Sequence, residues 1–153
     1  MENIIVELAS DHRQVEDLFS LIENNEGLEN QEKKTHFTRL YTALRIHILA
    51  VEAVVYGPLL TSKVGKSQAL EGYEEHRLAL LLLDELARVP MDSELWSPKL
   101  KVLRENVKNH VKVEEDLIFK TLKSEFSPDA LIQMSEEFHD RKEGILAELR
   151  KIA

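Results

Sequence analysis

The sequence predicts an all-α protein, an up-and-down four-helix bundle with an additional C-terminal helix. Three observations predict it. Apolar residues recur three and four positions apart along five segments, short polar or Pro/Gly-containing runs separate those segments, and no stretch shows a strong strand-like alternation. With 153 residues, 43% of them hydrophobic, the chain suits one domain, 1–153, whose core bundle covers about 3–125 and whose last helix covers about 128–152.

The first helix is expected over about 3–24, ending at Asn24-Asn25-Glu26-Gly27, and the second over about 30–61, stopping between Pro58 and Gly65. A third runs over about 67–88. The fourth begins near Ser93 or at Ser97-Pro98, where a hydroxyl precedes a proline suited to a first helical turn, and reaches about 125. Ser127-Pro128 repeats that start signal for the fifth.

Composition excludes several functions. Cysteine is absent, so thiolate metal sites, iron-sulfur clusters, thiol nucleophiles and disulfides are excluded, and any metal must be held by His, Asp, Glu or Tyr. A formal charge of -8, with its 20 Lys and Arg residues scattered, opposes binding to nucleic acid or anionic lipid. No Gly-rich phosphate loop occurs. The N-terminal run from Met1 to His12 lacks the basic flank and unbroken apolar stretch of a signal peptide, and no run of 18 apolar residues appears, so a cytoplasmic protein is expected.

Each of four core stripes is interrupted by one histidine. The first reads Ile5, Leu8, His12, Val15, Phe19 and Ile22, and the second Phe37, Leu40, Leu44, His47, Val51, Val54 and Pro58. The third reads Ala69, Tyr73, His76, Leu80, Leu83 and Ala87, and the fourth Leu100, Leu103, Val107, His110, Glu114, Leu117 and Thr121. In an up-and-down bundle two residues share a height when their midpoint falls in the connecting turn. The midpoints are 29.5 for His12 and His47, 61.5 for His47 and His76, and 93 for His76 and His110, each at or beside an expected turn. The intervals of 35 and 34 residues within the two halves read as an internal repeat of helical hairpins.

A single histidine on an apolar stripe is usually a hydrogen-bonded core residue. Four at one level would each need a separate hydrogen-bond solution, whereas a cation accepts several of their lone pairs together. Glu114, four positions after His110, lies about 40° around and about 6 Å along the helix, on the same inward face.

His12, His47, His76 and the run from His110 to Glu114 resemble the pattern of the hemerythrin-like, HHE cation-binding domains. Its local signatures are Asp11-His12-Arg13, the stretch from His47 to Tyr56 followed by Pro58, and the stretch from His110 to Phe119. The resemblance spans nearly the whole chain and implies a four-helix bundle holding non-haem iron, usually two irons bridged by carboxylates and oxygen, with one His-x-x-x-Glu motif on each of two helices. It implies His12, His47, His76, His110 and Glu114 as metal ligands. Aligning His47 with His110 sets Val51 against Glu114 and Glu52 against Glu115, so valine stands where the family has its first bridging carboxylate.

Two arrangements stay open. A π-bulge could re-aim Glu52, which otherwise lies about 140° around the helix from His47. Alternatively, the four histidines and Glu114 hold one ion, or a second binds weakly with help from Tyr73, which sits three residues before His76. Glu16, four after His12, reads as solvated, His36 lies roughly 16 Å along the helix from His47, and His139 reads as a surface or packing residue. Glu74-Glu75 and Glu136-Glu137 read as solvated faces, and Trp96 as a lid on the bundle end.

The expected function is a non-haem iron protein that binds or senses oxygen, nitric oxide or peroxide, or handles iron, more a metal- and gas-binding protein than an enzyme. Oxygen transport is disfavoured, because the family's carriers place a second histidine on the third helix, where His76 has Gly72 and Leu80 four positions away. A ferroxidase-like enzyme would use Glu-x-x-His pairs that these stripes lack. The alternatives are a mononuclear iron or zinc site and a metal-free interaction module. The expected partner is a small diatomic ligand or oxidant, with the fifth helix available as a homodimer surface.

Overall fold

A computed structural model describes residues 2–24 and 30–152, and among them the chain is helical with no β-strand. Helix α1 spans Ile4–Glu23, started by Asn3, whose side-chain oxygen accepts from the Val6 amide at 3.2 Å. It buries Ile4, Leu8, His12, Val15, Phe19 and Ile22. Asn25 to Gly27 of the first expected turn lie outside the described residues.

The second helix, α2, is regular over Asn30–Val51, widens into a π-helical turn over Glu52–Tyr56, and closes with Gly57–Leu59. Helix α3 spans Gly65–Arg88 and buries Ala69, Gly72, His76, Ala79, Leu83 and Leu86. Tyr73 and Leu80, expected on its core stripe, sit at the stripe's edge, and Ala87 is exposed. The inward line follows 69, 72, 76, 79, 83 and 86, one step round from the expected one.

Helix α4 is regular over Trp96–Val113, makes a second π turn over Glu114–Ile118, and finishes over Phe119–Glu125. Its start falls between the two expected places, Ser93 and Ser97-Pro98. Ser97 and Pro98 lie inside the first turn, while Ser93 accepts from the Leu95 amide at 3.2 Å through its hydroxyl. Trp96 is buried, edge-on to Phe37 at 5.9 Å, where it closes one end of the core. The π turn also explains why Leu117, expected on the core stripe, is 46% exposed. One extra residue per turn rotates Ile118, Phe119 and Leu122 inward instead.

The last helix, α5, spans Pro128–Ile152 and starts as expected, with the Ser127 hydroxyl accepting from the Ala130 amide at 3.1 Å. It lies against α1 and α2 and buries Leu131, Met134 and Phe138. The stretch 31–59 is long and apolar enough to cross a membrane by length and composition alone, but more than half of its most apolar window is buried. Leu40, Leu44, Ile48, Ala50 and Val51 are core residues there, which marks a buried helix of the bundle.

Two apolar clusters fill the bundle. One contains Leu8, Val51, Val54, Tyr56, Phe119, Leu122 and Phe138, and the other Val15, Phe19, Leu44, Ile48, Ala79, Leu83, Leu103 and Val107. The four stripe histidines and Glu114 are buried with them.

Candidate metal centre

Helices α1 to α4 each send one buried histidine inward, and these form two pairs. His12 and His47 have ring centroids 5.0 Å apart, and His76 and His110 have theirs 4.4 Å apart. Glu114, fully buried, stands between the pairs. Its Oε1 is 3.1 Å from His12 Nε2, and its Oε2 is 3.0 Å from His110 Nε2. The sets His12, His47, Glu114 and His76, His110, Glu114 each present three donor atoms within 4.8 Å of one another. One carboxylate therefore serves both sets.

The outer edge of each imidazole is fixed by a carboxylate from a neighbouring helix. Nδ1 of His12 meets Glu115 at 2.7 Å, that of His47 meets Asp11 at 2.9 Å, that of His76 meets Glu52 at 3.1 Å, and that of His110 meets Glu75 at 3.1 Å. With each Nδ1–H donating outward, every Nε2 is turned toward the centre, the orientation that a metal-binding imidazole adopts.

These partnerships obey the internal repeat. An acid precedes His12 and His76, and another follows His47 and His110 by five positions. Exchanging the halves maps the His12–Glu115 pair onto His76–Glu52, and the His47–Asp11 pair onto His110–Glu75. Phe119 lies parallel to His12 at 6.2 Å, and Tyr56 lies parallel to His76 at 5.1 Å. His47 and His110 are 63 positions apart, as are Tyr56 and Phe119.

Symmetry breaks where chemistry differs. Val51 opposes Glu114 in the repeat, and Tyr56 opposes Phe119. The Tyr56 hydroxyl donates to Glu114 Oε2 at 2.5 Å and lies 3.4 Å from His110 Nε2, so it is an oxygen donor inside the His76 and His110 set. Gly72 makes room for it: a Cβ there would lie 2.5 Å from Tyr56 Cε2 and 2.9 Å from its Cζ. Gly72→Ala is therefore expected to displace Tyr56 and cost about 1–3 kcal/mol through overpacking. Thermal denaturation checks it, and an unchanged midpoint would contradict the close approach.

Charge is distributed unequally over the cluster. Burial disfavours the Glu114 carboxylate, but hydrogen bonds with His110 and His12 outweigh it and hold the carboxyl well below its usual range. Burial likewise opposes the charged forms of His110 and His12. Glu114 and Glu75 nevertheless push His110 up to about 9, and Glu114 and Glu115 raise His12. His47 and His76 are lowered by burial, which their bonds to Asp11 and Glu52 do not offset. Burial and the Glu114 charge raise the Tyr56 phenol far above its ordinary value, keeping it a donor until a cation reverses the balance.

These shifts set a stability profile for the metal-free protein. His12 and His110 stabilise fully below their unfolded value of 6.5, and that contribution is lost as pH rises, for His110 through about 9. His47 and His76, lowered on folding, contribute fully above 6.5 and lose that contribution as pH falls. Glu114 contributes above its unfolded value of 4.5, and this is lost as pH falls through its lower folded value. The chelator-treated protein should thus melt highest near pH 6.5 and lower on both sides. A melting temperature that rises steadily with pH would contradict the assignment.

Two buried atoms show that a cation fits. His12 Nε2 and Glu114 Oε1 lie 3.1 Å apart with no partner but each other, and an ion taking a lone pair from each would satisfy both in place of a shared proton. The family model for the hemerythrin HHE cation-binding domain matches residues 3–122. The chain belongs to the hemerythrin HHE cation-binding domain family. A crystal structure of an HHE cation-binding domain protein from Mycobacterium kansasii, an Rv2633c homolog, superimposes with a TM-score of 0.80 at 20% identity, over 98% of this chain and 93% of that one. A DNA nickase from Nostoc sp. (strain PCC 7120 / SAG 25.82 / UTEX 2576) is 26% identical over 143 residues, which is 94% of this chain but 40% of that relative. The chain spans under half of that protein.

Within this HHE bundle, the structure brings His12, His47, His76, His110 and Glu114 together. Glu52 and Tyr73 are placed differently. The π turn exists, but Glu52 holds His76 from outside, and the Tyr73 hydroxyl donates to the Glu52 backbone carbonyl at 3.3 Å. Glu16 pairs with Arg104 and Lys108, and His139 is exposed beside Glu143. Glu75, expected to be solvated, is the partner of His110. The π turn instead involves Tyr56: nine positions after His47 is about 180° around a regular helix, and the wider turn brings it inward.

Proposed function

We propose that this HHE-family bundle is a non-haem iron protein that binds or senses oxygen, nitric oxide or peroxide at an iron centre shared by its two histidine pairs. The observation that carries the reading is one buried carboxylate, Glu114, placed between two histidine pairs whose Nδ1 atoms are all held by outer acids. Bound iron would supply a redox-active Lewis acid. Imidazole, carboxylate and phenol together suit that metal, and the outer acids raise the basicity of the imidazoles and fix their orientation.

A cavity of about 20 Å³ touches all four histidines and is otherwise lined by Val15, Leu44, Ile48, Ala79, Val107 and Val111. That is room for one small molecule in an apolar surround. His12, Val15, Val107 and Val111 also line a surface groove edged by Glu16, Lys108, Lys112, Glu115 and Asp116, so the groove and the cavity share a wall. Strand nicking is not carried over from the Nostoc relative, since a formal charge of -8 works against a phosphate backbone.

The test is to load the protein anaerobically with ferrous iron and expose it separately to oxygen, nitric oxide and hydrogen peroxide while recording visible absorption. At least one should produce a change proportional to bound iron and absent from Glu114→Gln. An iron-replete protein indifferent to all three would overturn the reading.

A further inference from the structure

We propose that the two ion positions are unequal by construction: the His76, His110, Glu114 and Tyr56 position retains a trivalent iron, while the His12, His47 and Glu114 position holds an exchangeable divalent ion. This rests on the metal centre proposed above and adds the identity and order of its occupants.

Two independent breaks in the repeat carry it. The first is the phenol. Tyr56 and Phe119 occupy equivalent positions and lie parallel to equivalent histidines, but only Tyr56 carries an oxygen, which reaches Glu114 Oε2 at 2.5 Å. Its neighbours are built around it, with Gly72 in van der Waals conflict with any larger residue and Leu8 at the equivalent position of the other half. A phenol that binds a cation gives up its proton to solvent and becomes an anionic oxygen donor, which favours the higher charge of ferric iron.

The second break is a cation. Lys142, from α5, donates to Asp11 Oδ1 at 2.9 Å and to Asp11 Oδ2 at 3.0 Å, and the same Asp11 accepts from His47. The equivalent acid of the other half is Glu75, bonded to His110, and among the described residues no lysine or arginine pairs with it. Lys142 therefore offsets one of the acids behind the His12 and His47 pair. That position has one fewer oxygen donor and a nearby opposing charge, while both share Glu114. A divalent ion held by two imidazoles and one shared carboxylate exchanges more readily than a trivalent ion with an added phenolate.

Loading the full chain with excess ferrous iron, admitting air and then dialysing against EDTA separates the possibilities. One iron per chain should leave first, the second should remain at least about tenfold longer, and a visible phenolate-to-iron(III) absorption should persist until the second leaves. Tyr56→Phe, checked for retained helicity, should abolish that absorption and bring the two release rates within a few-fold. Lys142→Met, which removes the ammonium that lies 4.6 Å from the Phe138 ring centroid, should slow the first release by roughly tenfold by removing the opposing charge. Two irons leaving wild type at one rate, or an absorption that survives Tyr56→Phe, would overturn the inequality while leaving the metal centre standing. Failure to bind any iron would overturn both.

Discussion

Glu114→Gln should strip the protein of metal while leaving it folded. Glu114 is the one donor common to both histidine sets, and it is fully buried, so no water substitutes for its charge. Loss of an outer partner to a metal-bound histidine typically costs roughly 10–100-fold in affinity, and loss of a shared anionic donor should exceed that. The fold survives because His12 and His110 can shed the protons that Glu114 holds on them, rather than remaining as unpaired buried charges. His110→Ala should give the same loss of metal by removing one imidazole. His36→Ala should not, because His36 lies eleven residues before His47, roughly 16 Å along α2. Elemental analysis with circular dichroism checks all three, and equal metal retention across them would sink the site.

Val51→Glu should produce the largest change in stability and make the protein depend on metal. Val51 is fully buried in regular helix, one residue before the π turn, at the repeat position of Glu114. A carboxylate there faces no free cation in the metal-free protein, since His12 and His110 are already engaged by Glu114. An unpaired buried charge costs on the order of 3–5 kcal/mol. At about 2–4 °C per kcal/mol for a chain of this size, the melting midpoint should fall by roughly 6–20 °C. Iron or zinc should return most of that loss, with a larger stabilisation than in wild type, because a second carboxylate then serves the ions. A variant as stable as wild type without metal would show that this position does not face the centre.

Much of this architecture was legible because helical period and turn position are read without side-chain detail. The height test on His12, His47, His76 and His110 needs only where the turns fall, and the structure places these histidines in two adjoining pairs. Tyr56 was hidden because a π turn cannot be read from period: a regular helix turns residue 56 to the opposite side from His47. The same turn displaced Leu117 from the expected core stripe. Its nearest sequence hint is the pairing of Tyr56 with Phe119 at equal offsets from His47 and His110.

The outer acids were hidden for another reason. Asp11, Glu52, Glu75 and Glu115 lie on helix flanks, where an acid ordinarily faces water, and each holds a histidine of a different helix. A repeat-aware reading would have found them, since acids stand at matching offsets from all four histidines. Lys142 lies outside the repeat, and only the packing of α5 on α1 reveals its bond to Asp11.

The most direct test of the central claim is metal content per chain, measured on protein purified without chelator or nickel affinity and then saturated anaerobically with ferrous iron. A centre built from two histidine pairs around Glu114 gives close to two ions per chain in wild type and almost none in Glu114→Gln. No bound ion in wild type at saturation, or an unchanged content in the variant, would contradict it.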